Sequence, residues 1–179
     1  MKTKLNQSKL KLAMVSAIIA GSMGLSATSY AGTATGTMAV ETSVLMSCTI
    51  SAGAMTFASY DPTATVDNDA NASITSTCTA GGAAVITMSQ GGRAQPGSTD
   101  AIPLRAMFNG SEGAPEELNY QLYSDSAGGT VWGNTAGSGK AITADGTAQN
   151  FTAYGRIPKN QTGVSAGAFS DSVAVTLTY

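Results

Sequence analysis

The sequence predicts an all-β sandwich, and three observations carry that expectation. Alternating or β-rich runs recur at residues 37–50, 72–79, 83–89, 102–108, 118–124, 150–157 and 172–179, the period-two signature of half-buried strands. Turn chemistry separates them: "AGGA" at 80–83, "QGGRAQPGS" at 90–98, "NGSEGAPEE" at 109–117, "SAGGT" at 126–130 and "AGSGK" at 136–140. No segment makes a convincing amphipathic helix. Seven or so short strands spaced by Gly, Pro and Asn fit a sandwich, and no fixed repeat period marks a solenoid or propeller.

The first 31 residues read as a secretory signal peptide. Lys2, Lys4, Lys9 and Lys11 form a basic start, residues 12–25 are uncharged and mostly apolar, and "SYA" at 29–31 supplies a small-residue cleavage site after Ala31. An apolar run of that length is well short of the ~20 residues a membrane-spanning helix needs. Once the leader is removed, five basic residues face 11 acidic ones (5 − 11 = −6), so no basic footprint for nucleic acid is expected. Charged residues make up 11% of the chain, against about 25% in an average soluble domain. The length suits one folded domain.

The exported chain begins with "GTATGTMAVETSVLMSC" at 32–48. Met38, Val40, Thr42, Val44 and Met46 share one face of an extended strand, upstream of the first cysteine. In an exported protein the two cysteines, Cys48 and Cys78, are expected to form a disulfide. Without histidine they cannot complete a tetrahedral zinc shell unless carboxylates join. The 67–73 stretch, "DNDANAS", carries Asp67 and Asp69 at alternating positions but lacks the glycine and distal acid of a calcium loop. Asn109-Gly110 is a hairpin dipeptide, and the strand ending in "GRIP" stops at Pro158. The last segment, "DSVAVTLTY" at 171–179, sets Val173, Val175, Leu177 and Tyr179 on one face and Ala174, Thr176 and Thr178 on the other.

Catalytic chemistry finds little to work with. A chain with no histidine has no imidazole base and no histidine triad. Glu112, Glu116 and Glu117, like Asp67 and Asp69, lie in polar loops rather than facing each other across a sugar. The glycine pairs lack the strand–glycine–helix setting of a nucleotide site. Trp132 and the tyrosines are expected to fill the core. The expectation is therefore no enzyme, no cofactor and no metal. A strand-like segment before Cys48 and a chain ending in a strand point instead to a sandwich with a strand to give and an edge that needs one.

The chain resembles the spore coat protein U domain family, which includes pilin subunits of archaic chaperone–usher pili. The resemblance rests on the alternating segment before Cys48, "ITSTC" at 74–78, "LNYQLYSD" at 118–125, "VWG" at 131–133, "YGRIP" at 154–158 and "FSDSVAVTLTY" at 169–179. It implies an incomplete immunoglobulin-like β-sandwich completed by donor-strand complementation, with 1–31 as leader, 32–46 as donor segment and 47–179 as the pilin domain. Met38, Val40, Thr42 and Val44 match the donor strand, Cys48 and Cys78 the family's bridge, and Val173, Val175, Leu177 and Tyr179 the wall of the acceptor groove that also meets the chaperone. Thr42 departs from the large aliphatic residue expected in mid-donor.

The partners implied are a periplasmic chaperone, an outer-membrane usher and neighbouring pilin subunits, in a homo- or hetero-polymer, with no nucleic acid. The function implied is that of a structural subunit, exported through the periplasm to a surface pilus that supports adhesion and biofilm formation. The alternative is a secreted carbohydrate- or receptor-binding sandwich, an adhesin or coat protein. Three or four donor side chains at roughly 1.5–3 kcal/mol each would contribute up to about 5–10 kcal/mol to such a joint.

Overall fold

Period-two patterning requires every strand to show one face to a core, and eight strands in the computed structural model do so. It describes residues 31–110 and 116–179, so residues 1–30 of the expected 1–31 leader, and Glu112, lie outside the described residues. The strands are β1 (Cys48–Ala52), β2 (Asn68–Cys78), β3 (Ala83–Met88), β4 (Arg105–Phe108), β5 (Glu117–Tyr123), β6 (Lys140–Thr143), β7 (Ala148–Ile157) and β8 (Val175–Thr178). They form two antiparallel sheets, β1-β2-β7-β5-β4 and β6-β3-β8. The segment Thr42–Tyr179 is one compact unit; within Met1–Glu41, the described residues form no strand.

The inward positions alternate as the sequence requires. Ile74 on β2, Ile86 and Met88 on β3, Leu118, Tyr120 and Leu122 on β5, and Ala153 and Ile157 on β7 make the core. Trp132 joins them, wholly buried, with its indole N–H donating to the Ile86 carbonyl at 2.8 Å. A buried indole needs such a partner. Arg105 is the one buried charge among the described residues, and it stitches the two sheets together. Its Nε donates to Ser89 O at 2.9 Å, Nη1 to Gln121 Oε1 at 2.6 Å, and Nη2 to Met88 O at 3.1 Å and Trp132 O at 2.8 Å. A charge survives burial only when its donors are filled in this way.

Three elements differ from the sequence expectation. The strand expected over 37–50 begins at Cys48: Ser47 O still accepts the Thr79 N–H at 2.9 Å, but residues 37–46 have no backbone ladder partner within the described chain. Strand β6 lies outside the expected runs, with only Lys140 inside the "AGSGK" turn; Gly139 lets it close on β3, since a Cβ there would stand 2.7 Å from Val85 Cγ1 and 2.8 Å from Ile86 O. The "DNDANAS" stretch opens β2 instead of a loop. Arg156 on β7 faces Asp69 across the ladder and holds it bidentately at 2.7 Å, with Asp67 at 3.3 Å. Those acids are neutralised by a cross-strand arginine.

Candidate functional site: an open cleft beside the last strand

Strand β8 sits at the end of its sheet. Its residues pair with β3, Val175 opposite Met88 and Leu177 opposite Ile86, and its other edge has no ladder partner among the described residues. Alongside that edge the sandwich stays open. A cleft of about 380 Å³ runs between the chain after β1 and the approach to β8, and its floor is core: Ile74, Met88, Leu122 and Ala153. Met55 and Phe57 form one wall, and Phe169, Asp171, Val173 and Val175 the other.

The local sequence shapes this opening. Gly155, in mid-strand on β7, leaves room for the wall, since a Cβ there would stand 2.1 Å from Met55 Sδ and 2.7 Å from Phe57 Cζ. Phe57 meets Tyr120 edge-on at 6.4 Å between centroids, a favourable aromatic geometry. The far wall is an alternation that starts before the strand: Phe169, Asp171, Val173, Val175 and Leu177 are half-buried while the residues between them are exposed.

One point of the lining is polar. Asp171 Oδ2 accepts the Tyr120 hydroxyl at 2.6 Å, and Oδ1 accepts the backbone N–H groups of Gly92 and Ser172, each at 2.7 Å. Burial, then the bond to Asp171, pushes the Tyr120 phenol well above its usual value. Burial likewise lowers the nearby Arg105 guanidinium to about 10, partly offset by the charges of Tyr120 and Asp171.

Val173 and Val175 line the cleft, and Leu177 packs on the core beside it. Tyr179 stands elsewhere. It follows the last ladder residue, is 59% exposed, and lines a separate depression of about 460 Å³ over 83–85, 141–143 and Thr178. The ladder with β3 has its last pair at Thr178, opposite Val85. Cys48 and Cys78 are bonded to each other and face across the first pair of the β1–β2 ladder. Met38 and Val40 are each 87% exposed and Val44 81%, and Thr42 is exposed too. Met46 differs from them: it is half-buried against the core and over Gly82. Sequence reasoning missed Met55, Phe57, Tyr120 and Asp171. The first two carry an alternation of only three residues around Thr56, too short to mark a strand, and the last two look like ordinary strand and turn residues until the fold joins them.

The family model of the Spore Coat Protein U domain matches residues 34–176. The chain belongs to that family. Protein U of Myxococcus xanthus is 34% identical over 179 residues, covering 95% of this chain and 98% of that one. The fold is similar to that of a chain in the crystal structure of the CsuC–CsuE chaperone–tip adhesion subunit pre-assembly complex, from the archaic chaperone–usher Csu pili of Acinetobacter baumannii. The TM-score is 0.53 at 20% identity, over 76% of this chain and 40% of that one. The family member described here is thus an immunoglobulin-like sandwich, spanning less than half the length of that solved chain.

Proposed function

We propose that this protein is a structural subunit of a surface fibre, built by donor-strand exchange on the chaperone–usher route. The observation that carries the reading is the cleft beside the unpaired edge of β8, whose floor is the hydrophobic core itself. A monomer gains nothing from leaving core side chains and a strand edge open. A polymer uses both, because an incoming strand supplies main-chain hydrogen bonds to the edge and side chains to the cleft.

The donor is the 32–46 segment of another copy, through Met38, Val40, Thr42 and Val44, and the acceptor wall is formed by Val173, Val175 and Leu177. A periplasmic chaperone holds the cleft before assembly, an outer-membrane usher is the site of exchange, and neighbouring pilin subunits are the final partners. The resulting fibre stands on the cell surface and supports adhesion and biofilm formation. The role is structural. The full-length match to Protein U favours a second setting for the same joint, a coat rather than a pilus. Electron microscopy of cells lacking the gene tests the reading: surface fibres, or an outer coat, should disappear and return on complementation. Unchanged surfaces, together with a stable monomer purified without any partner, would overturn it.

A further inference from the structure

The cleft wall and the donor face are interrupted by a polar residue at matching places. Along the wall the inward residues read Phe169, Asp171, Val173, Val175: apolar, polar, apolar, apolar. Along the N-terminal segment the corresponding face reads Met38, Val40, Thr42, Val44. Taken in reverse, as an antiparallel partner would be, that is also apolar, polar, apolar, apolar. The alignment sets Val44 by Phe169, Thr42 by Asp171, Val40 by Val173 and Met38 by Val175. Both runs have the two-residue step, about 7 Å, of one strand face. A parallel alignment that keeps Thr42 beside Asp171 sets Met38 against position 167, outside the cleft.

The carboxylate supplies the chemical reason. Asp171 Oδ1 accepts two backbone N–H groups, whereas Oδ2 accepts, among the described residues, the Tyr120 hydroxyl alone. A carboxylate offers about four acceptor sites, so Oδ2 keeps one free. Asp171 is half-buried and lines the open cleft, where water has access. A strand laid across it excludes that water, and a buried charge with an unfilled site is costly. The incoming face must therefore carry a donor at that point, and Thr42 is its one hydroxyl.

We infer that, in the donor-strand joint proposed above and resting on that reading, the Thr42 hydroxyl of one copy donates to Asp171 Oδ2 of the next. This contact fixes an antiparallel register and makes the cleft selective for a second copy of this chain. Thr42 is a specificity residue, and its small polar side chain is a match to the cleft instead of a defect in the donor.

The test uses the full chain, expressed with its own leader in cells carrying its assembly partners, and reads the ladder of oligomers that resist unheated detergent. Thr42→Val preserves shape and raises both apolarity and strand propensity. It should nevertheless lower the oligomer yield about 10- to 100-fold, the range expected for a lost hydrogen bond to a buried charge. Thr42→Ser should stay within about threefold of wild type. Val40→Asp, which places a charge against Val173, should abolish the ladder. A wild-type or improved ladder from Thr42→Val, with Val40→Asp defective, would overturn the inference and leave the donor reading standing. An intact ladder from Val40→Asp would mean that something other than this segment fills the cleft, and both would fall.

Discussion

The cleft places unlike demands on adjacent residues of its far wall. Val175 and Leu177 turn inward and Thr176 outward, so an aspartate at either inward position is buried without a partner, at several kcal/mol. Val175→Asp and Leu177→Asp should empty the periplasmic pool and the surface of fibres, and Thr176→Asp should be milder; equal damage from all three would show that both faces are covered. Tyr120 provides a second test. Its hydroxyl serves Asp171 from inside the core, and Tyr120→Phe should cost about 0.5–1.5 kcal/mol in denaturant unfolding by removing one hydrogen bond to a half-buried carboxylate. The same residue shapes the alkaline limb. Its phenol is raised above the usual 10.0, so the folded chain holds a proton that the unfolded chain releases. That contribution is complete below about pH 10 and declines as the pH climbs further. Arg105, lowered to about 10, acts in the opposite sense there, because the unfolded chain holds its proton longer. Stability measured from pH 9 to 11 should therefore fall less steeply in Tyr120→Phe than in wild type; an unchanged slope would remove Tyr120 from the account.

At the scale of elements, the proposed joint makes the segment before Cys48 and the edge of β8 its two halves. Deleting residues 37–44 should leave a subunit that still accumulates with its chaperone but cannot join a fibre as donor; normal fibres built only from that variant would refute the exchange mechanism. The sequence made β2, β5, β7 and β8 legible because each belongs to a run that alternates over enough residues for period two to stand out, and β3 because it is a short β-rich run bounded by glycine turns. It concealed β6, four residues of mixed polarity directly after Gly139, since a strand that short is defined by its neighbour β3 more than by its own pattern. It overextended the first strand over residues 37–46, where the alternation is real but no described backbone forms a ladder with it. Local pattern reports which face a segment could bury, and only topology says what covers it.

For the whole molecule, the candidate site was half legible for the same reason. Val173, Val175 and Leu177 announced themselves by alternation. The other wall, Met55 and Phe57, became a wall only because Gly155 on a distant strand leaves space for it. The Cys48–Cys78 bridge was expected from export alone, and the fold places it at the first ladder pair between β1 and β2. Its loop of 30 residues predicts about 3–4 kcal/mol of stabilisation on the chain-entropy account. Alanine at both cysteines should lower the denaturant midpoint accordingly, and no change in midpoint would contradict it.

The position of that bridge also has a mechanical meaning. In a fibre joined through the N-terminal segment, tension on each subunit enters the domain just before Cys48, at the end of a five-residue edge strand. Pulled from that end, β1 would peel away from β2 one hydrogen-bonded pair at a time, the weakest direction in which a ladder can be loaded. The disulfide intercepts the load before the first pair opens and passes it into β2, an 11-residue strand held on its other side by β7. Force then has to shear a long central ladder instead of unzipping a short edge. Fibres stretched one at a time should therefore yield at markedly lower force after reduction, and the first element to give should be β1.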